Sequence, residues 1–201
     1  SWNLLSNDKL HITNREFEYV PGLRSIIEEI LVNAFDNMNR VNQKNAVENK
    51  RLKKVSYIKV NVNREKGEIS IENDGEGIDV VLHPTEKIYV PEMIFGNLLT
   101  SGNYNKDEEK ITGGKNGFGA KLTNIFSTYF EIETIDRNRK LKYKQVYRDN
   151  MSIKEEPLIK NYKEAPYTRI TFIPDYSKFK LDGMLKPSLI SVSTRAKSFP
   201  E

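Results

Sequence analysis

The sequence predicts an α+β domain, a two-layer α/β sandwich with a mixed, mostly antiparallel sheet and its helices on one face. Three observations lead there. Residues 23–40 place apolar side chains at helical spacing. Later segments alternate apolar and polar residues across short turns, as neighbouring antiparallel strands do. Between them, Thr112–Leu122 packs four glycines and two lysines into eleven residues and runs straight into an apolar segment.

The elements follow in order. After Pro21-Gly22, the side chains of Leu23, Ile26, Ile27, Ile30, Leu31, Ala34 and Met38 share one broad arc of a helix over 23–40. Residues 42–54 are polar and basic and read as a solvated surface loop, or as a DNA contact. Ile58, Val60 and Val62 alternate with polar residues, Arg64–Gly67 turns the chain, and Ile69 and Ile71 alternate again, which predicts a hairpin. Pro91 opens a short helix to Leu99. Ser101–Ile111 reads as a mobile polar loop and Ala120–Ser127 as a helix. Strands are expected near Tyr129–Ile135, Leu141–Tyr147 and Tyr167–Ile173, with Ile170 and Phe172 facing one way. A weaker helix is expected over Leu181–Lys197.

Composition bounds the class. The 201 residues fit one domain over 1–201 with a real core. A net charge of +4 permits acidic partners without demanding them. With no cysteine there is neither a disulfide framework nor a thiolate metal site. No apolar run approaches the roughly 18 residues that a spanning helix needs, and the N-terminal residues lack a signal-peptide pattern, so no membrane association is expected. The ten tyrosines read as packing residues, and His11 and His83 as surface residues.

The glycine-rich stretch carries the chemistry. Glycines let backbone N–H groups approach an anion, and a helix starting after them adds its positive end. Lys115 and Lys121 add full charges. The stretch reads as a phosphate-cradling lid, or as a surface loop. It is not a Walker A loop, since Lys121 is followed by leucine, and it lacks the third glycine of a dinucleotide fingerprint.

Three further clusters matter. Glu29, Asn33, Asp36 and Arg40, with Asn37 beside them, lie along one helix stripe. That stripe either faces water, or offers a carboxylate to orient an attacking water and a hard oxygen to a metal. Asn73-Asp74-Gly75-Glu76-Gly77-Ile78 ends a strand. It is either a turn, or an acceptor for the exocyclic N–H of adenine, with Gly77 leaving room for the ring. Ile94–Tyr104 ends a helix in Thr, Ser, Gly and Asn; Ser101 and Asn103 either terminate that helix or contact ribose and phosphate oxygens.

The order of these clusters resembles the Bergerat ATP-binding fold shared by gyrase B, the ninety-kilodalton heat-shock chaperone, mismatch-repair MutL and sensor histidine kinases. Within it, Val20–Leu23, Glu29–Asn37, Tyr89–Ser101, Thr112–Leu122 and Asn124–Thr128 resemble the ATPase domain of eukaryotic type II DNA topoisomerases, from about Phe17 to Phe179.

That resemblance implies ATP and Mg²⁺ as cofactors. It implies Glu29 as the base activating water, Asn33 as the magnesium ligand, and Asp36 and Asn37 as further nucleotide-binding residues. Asn73 or Asp74 would meet adenine, beside Gly77 and Ile78. Ser101, Gly102 and Asn103 would meet ribose and phosphate. Gly114, Lys115, Asn116, Gly117, Phe118, Gly119, Ala120 and Lys121 would form the lid. Departures from the family pattern are Phe35 for alanine, Gly102 for serine, Phe118 for tyrosine, and a longer 42–54 stretch. The resemblance further implies a nuclear homodimer that passes double-stranded DNA through an ATP-operated gate, with an N-terminal arm and a C-terminal transducer domain lying outside this chain. The family's transducer lysine reaches the γ-phosphate, so slow hydrolysis is expected without it. A chaperone or mismatch-repair ATPase, a histidine-type kinase and a nucleotide-sensing module are the rival expectations.

Overall fold

The computed structural model describes residues 2–7, 9–14, 20–47, 52–84, 86–98 and 119–182. Strands β1 (Trp2–Asn7) and β2 (Lys9–Asn14) form a separate antiparallel pair that sequence periodicity did not predict. Helix α1 covers Pro21–Val47. The hairpin β3 (Ile58–Asn63) and β4 (Glu68–Asp74) follows, then α2 (Val90–Phe95) and α3 (Gly119–Ile125). The chain goes on through β5 (Ser127–Asp136), β6 (Leu141–Arg148), β7 (Ile153–Lys154), β8 (Leu158–Asn161) and β9 (Tyr167–Pro174), and ends its described course in a 3₁₀ turn over Tyr176–Phe179.

The main sheet has the order β3-β4-β9-β5-β6-β7, with β8 also on β6, and every described pairing is antiparallel. Strand β9 comes last in sequence yet sits between β4 and β5. This insertion matters for the cleft, because it sets Asn73 of β4 opposite Thr168, and Thr168 opposite Thr134 of β5.

The three helices among the described residues cover one face of the sheet. Ile30 and Ala34 of α1, Phe95 of α2 and Ala120 of α3 bury against Ile69, Ile71, Phe130, Ile170 and Phe172. Phe130 anchors this layer, with ring centroids 6.2 Å from Phe95, 6.3 Å from Tyr147 and 6.4 Å from Phe172. Fully burying such side chains stabilises the fold by roughly 2 kcal/mol each. Tyr143 and Tyr147 are buried too, and both phenols donate to Gln145 Oε1, at 2.6 and 2.7 Å, so their polar ends are satisfied inside the core.

Several boundaries differ from expectation. Helix α1 continues to Val47, so the stretch 42–54 is not one loop. Val41 extends the buried arc by another turn. Asn45 then pairs with the backbone of Leu52 through both ends of its amide, at 3.0 and 2.8 Å, and returns the chain. Helix α2 stops at Phe95 rather than Leu99. The Gly96 N–H closes on Glu92 O at 2.7 Å, and a side chain at Gly96 would collide with the Tyr147 hydroxyl. Helix α3 stops at Ile125, and Ser127 opens β5 while its hydroxyl donates to Thr123 O at 2.6 Å. Strands β7 and β8 were not expected; they are short and exposed, and pair only with β6. The helix expected over Leu181–Lys197 and the loop Ser101–Ile111 fall almost wholly, or wholly, outside the described residues.

The Asn-Ile-Phe-Ser-Thr segment has a structural account. Asn124 Nδ2 donates to Phe95 O at 3.0 Å, tying α3 to the end of α2. The preceding Thr123 donates to Ile26 O at 2.8 Å, tying α3 to α1. Phe126 packs on Phe179, with centroids 5.9 Å apart. The segment is therefore the joint where the three helices meet the sheet.

Candidate functional site

A cleft opens between α1 and the sheet. Helix α1 supplies one wall. Ile30, Asn33, Ala34 and Asn37 recur every three or four residues and so share a face, with Asp36 and Arg40 at its margin. The polar stripe of α1 thus borders a cleft. Arg40 Nη2 donates to Asn37 Oδ1 at 3.0 Å, which holds the guanidinium at the cleft edge.

The sheet supplies the floor. Ile71, Asn73, Thr168 and Ile170 point into the cleft from β4 and β9. Ile78, Ile94 and Phe95 complete an apolar lining. Asn73 Nδ2 donates to Asp74 O at 2.8 Å, so the amide presents its oxygen as the acceptor. The result is an apolar slot with a few fixed polar groups, which can hold a flat heterocycle by its faces and read its edge.

The loop leaving β4 is bolted to β5. Ile78 N–H donates to Thr134 Oγ1 at 3.0 Å and Val80 N–H to Asp136 Oδ2 at 2.9 Å. Arg137 N–H meets Glu76 O at 3.1 Å, and its guanidinium meets Glu76 Oε1 at 2.6 Å. Burial alone would raise the Asp136 carboxyl, but N–H groups from Val80 and Arg139 and the Arg139 charge hold it below the ordinary range.

Gly77 carries a backbone constraint of its own. Its φ is +75°, and a Cβ there would stand 1.8 Å from Ile135 O. The missing side chain makes room for the β5 backbone. Asp74 is likewise committed. Its carboxylate accepts from Ser56 N–H at 2.7 Å, Ser56 hydroxyl at 2.6 Å and Tyr57 N–H at 3.1 Å, and it does not line the cleft. Asn73 is the member of the pair that faces the cleft.

Glu29 sits one turn before Asn33, and its carboxylate packs so closely on Gly119 that a Cβ there would fall 1.7 Å from Oε2. A methyl at 119 would have to displace the Glu29 carboxylate from the start of α3. Ala120 and Lys121 are buried, Lys121 at 3% exposure, and neither lines the cleft. Ser101, Gly102, Asn103, Gly114, Lys115, Asn116, Gly117 and Phe118 lie outside the described residues.

A family model described as histidine kinase-, DNA gyrase B-, and HSP90-like ATPase matches residues 19–175. The chain belongs to this ATPase family. Within it, the chain corresponds to the ATPase region of type II DNA topoisomerases. It is 50% identical over 174 residues to DNA topoisomerase 2 of Acanthamoeba polyphaga mimivirus, covering 87% of this chain and 13% of that protein. It is 51% identical over 170 residues to DNA topoisomerase 2 top-2 of Caenorhabditis elegans, covering 85% of this chain and 10% of that protein. The solved ATPase region of Saccharomyces cerevisiae topoisomerase II superimposes with a TM-score of 0.73 at 46% identity, covering 91% of this chain and 46% of that one. The ATPase domain therefore spans about a tenth of the curated relatives it matches.

Sequence reading missed Thr168 and Thr134. A signal was present for the first. Thr168 keeps the parity of Ile170 and Phe172, and a polar residue on a core-facing register is one to ask about. Thr134 matters only through its pairing across β9, which no local pattern reveals.

Proposed function

We propose that the cleft binds ATP with Mg²⁺, and that this domain drives the nucleotide-dependent closure of a homodimeric type II topoisomerase passing double-stranded DNA in the nucleus. The observation that carries this reading is convergence. Asn33, Asp36 and Asn37 of α1 and Asn73 and Thr168 of the sheet face one apolar slot, with Glu29 one turn away against Gly119.

The residues present fit the nucleotide. Ile71, Ile78, Ile94 and Ile170 offer flat apolar contact for a purine, and Asn73 an acceptor for its amine. They fit the metal in a limited way. Among the described residues no cluster of three His, Cys, Asp or Glu could hold a cation. Asn33 would supply one oxygen, and Mg²⁺ commonly takes its remaining ligands from phosphates and water. When bound, the metal would neutralise charge developing on the phosphates. The chain's own contribution is Glu29, which would orient a water and take its proton.

Glu29→Gln keeps the shape and removes the base. In the protein carrying the family's transducer region, retained nucleotide binding and hydrolysis reduced at least ~10²-fold are expected, the scale of losing a general base. Steady-state turnover equal to that of the unaltered protein would reject the assignment.

A further inference from the structure

Four groups meet in one hydrogen-bonded knot at the sheet side of the cleft. Thr134, fully buried, accepts from Ile78 N–H at 3.0 Å. Its Oγ1 lies 3.2 Å from Tyr167 O and 2.8 Å from Thr168 Oγ1. A threonine hydroxyl owns one proton, and a carbonyl can only accept. The contact with Tyr167 O therefore uses the Thr134 proton. The bond to Thr168 must then be donated by Thr168, which leaves Thr168 with nothing but lone pairs to offer the cleft.

We infer that Thr134 is a positioning residue that fixes the polarity of Thr168 and so makes the sheet side of the cleft select a purine bearing a 6-amino group over one bearing a 6-oxo group. The inference rests on the nucleotide reading above and adds a residue that does not itself line the cleft. Asn73, directly opposite Thr168 in register, commits one of its two amide N–H groups to Asp74 O, which orients its Oδ1 as an acceptor. Two acceptors match an amine, which brings donors. Against a 6-oxo group they face lone pairs, and acceptor against acceptor leaves buried polar groups unpaired. Supporting bonds of this kind specify base identity without touching the base.

The test is calorimetric titration of this chain with a non-hydrolysable ATP analogue and with its inosine counterpart. The unaltered chain should favour the adenine form by at least ~10-fold, the scale of one mismatched hydrogen bond. Thr134→Val removes the acceptor that captures the Thr168 proton. The freed hydroxyl can then donate to a 6-oxo group, and the affinity ratio should fall by ~10-fold. Thr134→Ser restores the hydroxyl and should restore the ratio. A purely structural role would weaken both nucleotides alike. An unchanged ratio in folded Thr134→Val overturns the inference while leaving nucleotide binding intact. Should that variant fail to fold, Thr168→Val carries the same reading, since loss of the acceptor must also lower the ratio, and an unchanged ratio overturns it. If the unaltered chain binds neither nucleotide, the nucleotide reading fails and this inference with it.

Discussion

The two walls of the cleft are built by different means. The α1 wall takes Asn33, Asp36, Asn37 and Arg40 from a single two-turn stretch of helix. The sheet wall takes Asn73, Ile78 and Thr168 from segments far apart in the chain and locks them through Thr134, which lies 56 residues from Ile78 and 34 from Thr168. A wall made from one helix can lose a side chain and keep its backbone. A wall made from strand register cannot, because the contacts that shape the site are also the contacts that hold the sheet. Changes on the sheet wall should therefore cost stability and binding together, whereas changes on the helix wall should cost binding alone.

The largest test of that contrast is Gly77→Ala. The added methyl would meet Ile135 O at 1.8 Å, at a residue whose φ is +75°. Neither the β5 backbone nor the loop can yield without breaking the Ile78–Thr134 bond. A loss of more than about 3 kcal/mol is expected from combined overlap and backbone strain, read as a fall in the urea midpoint. A variant within about 1 kcal/mol of the parent would show that the loop moves independently of β5.

Next comes Asp136→Asn. The buried carboxylate accepts from Val80 N–H at 2.9 Å, Asn138 N–H at 2.9 Å and Arg139 N–H at 3.0 Å, and pairs with Arg139 Nη1 at 2.8 Å. An amide must turn an N–H toward one of these donors, which costs about 2 kcal/mol. The sign with pH is fixed. A carboxyl held below its ordinary range contributes stability that is present above the unfolded pKa of about 4 and is lost as pH falls through the folded value. The parent should therefore lose stability toward acid more steeply than Asp136→Asn, and parallel acid profiles would contradict this.

Most of the fold was legible because its signals are local. The arc of Leu23, Ile26, Ile30 and Ala34, the hairpin around Arg64–Gly67, and the alternation in β5, β6 and β9 each declare themselves within a dozen residues. What was illegible depended on partners elsewhere. Helix α1 outruns its expected end because Asn45 finds Leu52, and Gly77 is glycine because β5 passes beneath it. The site divides the same way. Asn33 and Asn73 were named from spacing and motif, while Thr168 and Thr134 emerge only once β9 is seen to slot between β4 and β5.

A smaller effect is expected on the sheet face away from the cleft. There Glu72 pairs with Arg169 at 2.5 Å, Arg169 with Glu133 at 3.2 Å, and Glu133 with Lys142 at 2.9 Å, a charge ladder across β4, β9, β5 and β6. Burial alone would raise Glu133, yet hydrogen bonds from Lys142 and Tyr167 and the Arg169 charge hold it low. Arg169 is more than a third exposed, so its share is screened. Glu133→Gln should cost about 1 kcal/mol at neutral pH, and the gap from the parent should close as acid protonates Glu133. Nucleotide affinity should stay within about twofold, since this face supports the register without touching the cleft. A large drop in affinity would mean that the ladder, and not the Thr134 knot, sets the sheet wall.

The smallest stability change, and the sharpest contrast, belongs to Asn33→Ala. Asn33 is half-buried on an otherwise intact helix, and alanine is the better helix former by a few tenths of a kcal/mol. Thermal unfolding should therefore shift by no more than about 0.5 kcal/mol in either direction. If Asn33 supplies the metal oxygen, the part of nucleotide affinity that depends on Mg²⁺ should disappear, while the part measured in its absence stays. Gly77→Ala cannot produce that pattern, because it disturbs the floor on which any nucleotide would rest. A variant at Asn33 that lost stability and metal-independent affinity together would mean that the helix wall, too, is held by the contacts it makes across the cleft, and the distinction between the two walls would fall.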